Sequence, residues 1–317
     1  MSASQAGSTA ATVPAGGERL GVTLVALAAV CWSFGGAIAH FIQASDAWTV
    51  VFWRSTWATA FLLGFMLWRD GVSGTLALFL RMGLPGLAVA ACFAIASTTF
   101  IVALQFTTVA NVLLMQAGAP LIAALIAWAL FRERASPATW LAIAAVICGI
   151  AIMVSESVTG AVSPIGDGLA LTIAVCYAVA IVLTRRFAHV RMTPATCLAT
   201  MIAGIVAATQ ASVFAVSGAD MGWLVAFGAL NLGLGLALFA TGARLIPAAM
   251  AALLGTLEPV LGPVWVWLMH GETPSARTLI GGAVVFAALL VHIGVEFRRQ
   301  MRSSRSRPGT TGLPAPK

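Results

Sequence analysis

Two charged residues of this sequence, Glu258 and Arg54, lie inside long apolar runs and are the first candidates for chemistry. Charges in apolar surroundings are costly, so they are kept mostly where they bind or transfer something. Glu258 could bind a proton or a substrate, because removal from water favours the neutral acid; alternatively it is a structural carboxyl group bonded to a neighbouring helix. Arg54 could recognise a carboxylate or phosphate through its paired donors, or extend to the aqueous boundary without a functional role. An ion pair between the two would also satisfy both charges.

Prolines accompany Glu258 and interrupt its helical pattern. Pro259 follows directly and Pro263 lies one turn further on, so two backbone donors are missing and carbonyl groups of the preceding turn lose their partners. Pro120 occupies the corresponding place in the first half of the chain. The sequence therefore predicts helix breaks at these three prolines, which can expose backbone dipoles to a central cavity.

Uncharged polar side chains and two aromatic rings complete the candidates. Asn111 and Gln116 precede Pro120, and Asn231 lies in a later apolar run. Hydrogen bonding between helices is the more common role of such groups in a membrane. Trp32 and Tyr177 could stack on an organic substrate, with plain packing as the alternative.

The composition defines the surroundings of these residues. Of 317 residues, 60% are hydrophobic and 9% are charged, against about a quarter charged in a soluble domain. This excludes a soluble globular protein, a disordered chain and, despite the net charge of +7, a soluble DNA-binding protein. The five cysteines lie in apolar stretches without CxxC spacing, and the four histidines lie singly or at the ends of apolar runs. We therefore expect no disulfide framework, no metal site and no cofactor.

Apolar runs of membrane-spanning length dominate the chain. A spanning helix needs about 20 mostly apolar residues, which predicts an all-α integral membrane protein. Only residues 105–107 separate the third run from the fourth, and a merger there would make the number of spans odd. The predicted spans are 20–42, 48–68, 82–104, 107–131, 138–155, 164–184, 193–216, 222–243, 246–270 and 275–296.

The basic residues test this count and predict the orientation. Arg54 lies within a span and Arg277 lies on one side; the other fifteen of the 17 lie on the side of both termini. Because cytoplasmic loops carry the excess of Lys and Arg, we predict ten spans with cytoplasmic termini. The fifteen are Arg19, Arg69, Arg81, Arg132, Arg134, Arg185, Arg186, Arg191, Arg244, Arg298, Arg299, Arg302, Arg305, Arg307 and Lys317.

Both ends of the chain are predicted to be disordered and cytoplasmic. Residues 1–19 are rich in Ala, Gly, Ser and Thr and lead into an uncleaved first span. Residues 297–317 form a basic tail that we expect near anionic lipid headgroups and not on a nucleic acid.

The chain repeats itself at an offset of 139 residues. Cys31-Trp32 also matches Cys176-Tyr177, at an offset of 145. Each half, 20–155 and 164–296, therefore holds five spans, and an odd number places the second copy upside down. Such inverted five-helix repeats around a central cavity are typical of alternating-access carriers. The offset of 139 superposes, without a gap, Ala110 on Ala249, Leu114 on Leu253, Pro120 on Pro259, Trp128 on Trp267, Glu133 on Glu272 and Ser136 on Ser275.

The residues that carry the repeat also carry a family resemblance. The stretch 103–108 (ALQFTT) through Pro120 to Glu133, and the stretch 244–249 (RLIPAA) through Glu258 to Glu272, resemble the two EamA domains of the drug/metabolite transporter superfamily. The resemblance covers about residues 21–296. It implies ten spans, two inverted repeats, and export or exchange of small metabolites across a bacterial cytoplasmic membrane. One departure is Arg132, which stands where the family usually has Gly before the Glu that corresponds to Glu133.

The leading hypothesis is a secondary transporter, not an enzyme, that moves a small organic metabolite by proton coupling or exchange. The sequence has no GxxxxGK[ST] motif for ATP. The alternative is a membrane-embedded enzyme for lipid or isoprenoid substrates, which would need clustered acids, histidines or a metal. A channel would need charge rings or a carbonyl filter. The expected partners are the substrate, the lipid bilayer and, with coupling, protons; substrate, direction and a possible homodimer stay open.

Overall fold

The computed structural model describes residues 15–44, 46–132, 136–158, 163–187 and 190–305. In these ranges the protein is helical and contains no strand, which confirms the all-α prediction. Long apolar sequences favour helices in lipid because a helix satisfies its own backbone hydrogen bonds. The helices are α1 (Ala15–Ser33), α2 (Gly35–Phe41), α3 (Ala47–Arg81), α4 (Gly83–Ala103), α5 (Val109–Gln116), α6 (Ala119–Phe131), α7 (Pro137–Val158), α8 (Pro164–Arg186), α9 (Thr193–Gln210), α10 (Gly218–Val225), α11 (Gly235–Gly242), α12 (Ala248–Gly255), α13 (Leu257–His270) and α14 (Ala276–Arg305).

Ten stretches of the described chain are long and apolar enough to cross a membrane, which confirms the predicted number. The third and fourth do not merge, because Thr108, in an extended conformation, caps the start of α5 and its side chain accepts a hydrogen bond from the backbone of Asn111. We number the spans first to tenth: Gly17–Phe41, Ala47–Arg81, Gly83–Ala103, Val109–Phe131, Pro137–Ser155, Pro164–Arg186, Thr193–Gln210, Gly218–Gly242, Met250–His270 and Ala276–Val295.

Three boundaries differ most from the sequence prediction. The helix of the second span, α3, extends past 68 to Arg81 and breaks at Gly71, whose φ of 70° suits glycine. The seventh span ends at Gln210, not 216, and the backbone of Ser212 then donates to Asp46. The helix of the tenth span, α14, continues past 296 to Arg305, because Arg, Gln and Met favour a helix. Of the two ends predicted to be disordered, 1–19 and 297–317, residues 15–19 belong to α1 and residues 297–305 belong to α14, so the prediction is wrong there; residues 1–14 and 306–317 lie outside the described residues.

The offset of 139 residues also relates the helix boundaries of the two halves. It maps α5 onto α12 from first to last residue. The helix after each ends at a residue in the left-handed conformation, Arg132 with φ 52° and Gly271 with φ 70°. Backbone N–H groups of Thr139 and Thr278 then donate to Ser136 and Ser275, each over 3.1 Å. The repeat is therefore present in secondary structure as well as in sequence.

Four spans are irregular near their middles. The first breaks at Phe34 between α1 and α2, the fourth at 117–118 between α5 and α6, and the ninth at Thr256 between α12 and α13. In the eighth span a π-helical segment, Ala226–Leu234, joins α10 to α11. Such interruptions are frequent at functional sites and free backbone groups for other partners.

Spans of the two halves interleave. The second packs against the seventh and the π-helical segment, and the third packs against the sixth and seventh. The fifth packs on the tenth, where a Cβ atom on Gly281 would collide with the backbone of Gly149. Small residues thus bring the backbones close, as is usual between membrane helices.

The bundle has two ends that we name by one residue each. At the Glu272 face, the connections after the first, third, seventh and ninth spans meet. The backbone of Gln43 donates to Asp220 there over 2.8 Å. At the Arg191 face, Arg191 lies 3.3 Å from Asp70. Burial, followed by the neighbouring charges of Arg191 and Arg69, lowers the pKa of Arg244 at this same face.

Candidate functional site

The four irregular spans, together with the second, third, sixth and seventh, line one cavity. The space free of protein atoms in it, counted together with the open space at its mouth, is about 870 Å³. Six of the seven predicted binding or coupling residues line it: Trp32, Arg54, Gln116, Tyr177, Asn231 and Glu258.

Arg54 projects from the second span and is 94% buried, with 6% of its surface exposed. Its Nη1 donates to the hydroxyl of Ser97 over 2.8 Å, while its Nε has no hydrogen-bond partner. The guanidinium carbon lies 4.4 Å from the ring centre of Phe227 and 6.0 Å from that of Phe100. In the described part of the chain no carboxylate comes within 4.0 Å of this cation. Arg54 therefore does not extend to the aqueous boundary.

Glu258 lies in the first turn of α13, directly after the break at Thr256. It is half-buried and lines the cavity. The amino end of a helix favours a negative charge, and among the described residues no hydrogen bond or ion pair reaches this carboxyl group. The two charges that the sequence isolates thus share one cavity without an ion pair between them.

The breaks precede the prolines. Pro120 and Pro259 lie in the first turns of α6 and α13, where a missing backbone donor costs little. Pro263 lies inside α13, which continues through it, so the helix break predicted at Pro263 is wrong. The interruptions of the fourth and ninth spans therefore fall at 117–118 and Thr256, just before the first two prolines.

The aromatic candidates Trp32 and Tyr177 lie on the cavity wall. Trp32 packs against Gly235, its ring centre is 5.4 Å from that of Phe239, and its indole N–H is buried without a partner. Tyr177 makes an edge contact with Phe93 at 5.5 Å. Both rings thus combine packing contacts with a surface that faces the cavity.

The amide candidates have different surroundings. Asn231, in the π-helical segment, donates to the carbonyl groups of Cys31 and Trp32 and so stabilises the break in the first span. Gln116 ends α5 at the cavity wall. Asn111 is not among the residues that line the cavity; its Nδ2 donates to Asp167 over 2.6 Å and to Thr107 over 2.9 Å.

Asp167 is a buried carboxyl group that sequence reasoning missed. It is 4% exposed, at the fourth position of α8, and its bond to Asn111 joins the two halves. The second oxygen of Asp167 and the amide oxygen of Asn111 are buried without partners. Because Asp167 lies at the edge of an apolar run, its sequence position resembles that of a residue at the membrane boundary. The signal that could have identified it is an acidic residue in the first turn of a spanning helix.

A layer of side chains in mutual contact lies at the Glu272 face. We call His40, Phe41, Trp223, His270 and Glu272 the closing layer. His40 Nε2 lies 2.9 Å from Glu272, whose other oxygen accepts from the backbone of Val109 over 3.2 Å. Phe41 stacks on Trp223 with ring centres 4.5 Å apart, and the rings of His40 and His270 are 5.0 Å apart. Each histidine is isolated in sequence, so only the fold reveals this group.

Hydrogen bonds also bind the Asp46 carboxylate at this face. Burial tends to raise the pKa of Asp46, but hydrogen bonds from Ser212, Trp48 and Thr49 outweigh it and hold the pKa below its ordinary value. The connections after the first and seventh spans are thereby joined. No group of three or more His, Cys, Asp or Glu side chains suited to a metal occurs in the described ranges.

Ten spans with interrupted helices around a central cavity are the architecture of a membrane transporter. The profile of the EamA-like transporter family matches residues 19–155 and 164–294, so the chain belongs to that family, within the drug/metabolite transporters. The protein is accordingly an integral membrane transporter and not an enzyme. One solved crystal structure, described only as that of a protein, is 22% identical, covers 88% of this chain and 98% of its own, and has a TM-score of 0.60. That likeness concerns the fold alone. No curated protein sequence matches the chain.

Proposed function

We propose that the protein is a secondary transporter that carries a small organic metabolite out of a bacterial cell by alternating access. The observation that supports this most is the cavity itself, because Arg54 and Glu258 meet there without neutralising each other, between two repeated halves. Each half contributes one span broken at equivalent positions. Two inverted halves that exchange conformations would open such a cavity to each side in turn.

The distribution of charge supports cytoplasmic termini. Arg69, Arg191 and Arg244 lie together at the Arg191 face, and Arg186 lies 5.6 Å from the ring of Phe131 there. Basic loops favour the cytoplasm. We therefore assign the Arg191 face to the cytoplasm of the bacterial inner membrane and the Glu272 face to its outside.

We propose that the cavity opens inward in this state. Its lining extends towards the Arg191 face as far as Thr196, the fourth residue of α9, and Leu236 in α11. In the other direction the lining reaches Phe100 and Leu113, and the closing layer lies beyond them at the Glu272 face. Export requires the closing layer to separate while the inner ends of the spans approach each other.

Two energy sources suit this site. Glu258 is a cavity carboxyl group without a partner among the described residues, so it can carry a proton in exchange for substrate. In a pure exchanger, a second metabolite would instead return through the same cavity. A homodimer is compatible with either, because the cavity lies within one chain.

Counterflow in proteoliposomes tests the proposed function. Purified protein is reconstituted, the vesicles are loaded with one unlabelled metabolite of a panel, and uptake of the same labelled compound is measured with and without a pH gradient. We expect at least one compound to accumulate transiently above protein-free vesicles. Absence of counterflow across organic acids, amines, sugars and nucleosides would refute secondary transport; counterflow that ignores the pH gradient would favour exchange over proton coupling.

A further inference from the structure

We infer that Arg54, together with the rings around it, forms a binding subsite for an organic monoanion that has an apolar, ring-sized body. The inference rests on the proposed function in one respect, since it takes the central cavity to be where the substrate binds. It adds the chemical class of that substrate.

The first step is the incomplete set of partners around Arg54. A guanidinium group offers five N–H donors, yet Ser97 is the sole hydrogen-bonding partner recorded for it in the described chain. Its Nε is buried and unpartnered. A desolvated cation is costly unless an opposite charge or acceptor reaches it. Arg54 therefore lacks at least one hydrogen-bond acceptor.

The second step is the direction from which an acceptor can come. The ring of Phe227, 4.4 Å away, covers one face of the guanidinium and offsets part of the desolvation. The N–H donors point outward in the guanidinium plane, where a carboxylate can accept two of them side by side. Because Arg54 lines the cavity, a ligand in the cavity can supply that carboxylate.

The third step concerns charge and shape. Glu258 is the one acidic residue on the described cavity wall, and it does not pair with Arg54. A ligand with a single negative charge would supply the acceptor that Arg54 lacks. A second negative charge on the ligand would face the Glu258 carboxyl group. The wall also carries five aromatic rings, which favour an apolar or aromatic body over a sugar or a highly hydrated ion: Trp32, Phe93, Phe100, Tyr177 and Phe227.

Equilibrium binding with matched ligands tests this subsite without requiring flux. The full chain in lipid nanodiscs is titrated calorimetrically with phenylacetate, its neutral isostere phenylacetamide and its cationic analogue phenethylamine. We expect phenylacetate to bind about 30-fold more tightly than the other two, as expected for a buried charge pair. Equal affinities, or preference for the amine, would overturn the inference. This comparison uses the wild-type chain, so it stands even if a variant fails to fold.

Variants then assign the preference to Arg54. Arg54→Gln should reduce the preference for phenylacetate over phenylacetamide to about twofold or less, and Arg54→Lys should retain an intermediate preference, since a point charge replaces the planar fork. The matched control is Arg81→Gln, which removes an equal charge from an exposed site at the end of α3. Undiminished anion preference in Arg54→Gln would overturn the assignment. Anion-selective binding without any counterflow would refute the transport proposal alone.

Discussion

At the scale of single residues, the site combines two opposite charges that do not pair. Arg54 is surrounded by rings and one hydroxyl group, and Glu258 lies at the start of a helix. A direct ion pair would have left little reason for either to interact with a ligand. In the proposed function, the absence of such a pair leaves Arg54 available to an anion and Glu258 available to a proton.

Replacement of Glu258 by glutamine tests the proton role. Glu258→Gln keeps the shape of the side chain but cannot gain or lose a proton. We expect flux driven by a pH gradient to lose its dependence on the gradient, while counterflow at equal pH continues. Measurement uses proteoliposomes with a pH-sensitive dye and labelled substrate. Glu18→Gln, at an exposed position near the start of α1, is the charge-matched control. An unchanged response to the gradient would remove Glu258 from coupling.

Gly235 offers a test of the role of Trp32. A Cβ atom at this position would collide with the indole nitrogen of Trp32, so Gly235→Ala should displace the ring from the cavity wall. We expect up to about a tenfold loss of substrate affinity, because an aromatic contact contributes about 0.5–1.5 kcal/mol. Gly222→Ala in the same span has open space around it and should leave affinity unchanged. Equal affinities of the two variants would mean that Trp32 only packs.

At the scale of helices, the connections after the fourth and ninth spans allow two equivalent residues of one chain to be compared. Arg132 and Gly271 are equivalent and both left-handed, but only glycine adopts that conformation without a steric penalty of about 1 kcal/mol. Arg132→Gly should therefore raise the melting temperature by a few degrees, and Gly271→Ala should lower it. Thermal unfolding in detergent, followed by size-exclusion chromatography, measures both. The same direction of change in both variants would contradict the equivalence.

These helices also define what the sequence can predict. The offset of 139 residues, together with Pro120 and Pro259, indicated where the fourth and ninth spans are interrupted, because proline chemistry is local. The break at Gly71 and the π-helical segment of the eighth span escaped prediction. Gly71 sits between apolar stretches with no proline, and a π-helix depends on packing against Arg54 and Trp57, whose atoms approach Gly228. Local sequence carries no signal of that packing.

The candidate site was predictable only in part, for a similar reason. Scarcity identified Arg54 and Glu258, since few charges lie in the spans. Ser97 and Phe227 could not be singled out, because each resembles many other residues of its kind until the third and eighth spans meet the second. His40 and Glu272 lie 232 positions apart in the sequence and contact only through the fold.

At the scale of the whole molecule, the odd number of spans in each half predicts that the two halves have opposite orientations in the membrane. Positions 132 and 271 are equivalent in sequence and in backbone conformation, yet five spans separate them, so they should lie on opposite sides of the membrane. The basic residues agree, since Arg132 belongs to the basic set and the segment after Gly271 has no Lys or Arg before Arg277.

Reporter fusions test this inversion directly. A reporter that is active only in the cytoplasm should work when inserted after Arg132 or fused after Lys317, and it should fail when inserted after Gly271. A reporter active only outside should give the opposite pattern at all three sites. Activity on the same side at 132 and 271 would refute the inverted repeat, because equivalent positions can share a side only if the number of spans between them is even. Reversal at all three sites would keep the inversion and instead place the Arg191 face outside, which would make the closing layer an inner one and the cavity outward-facing.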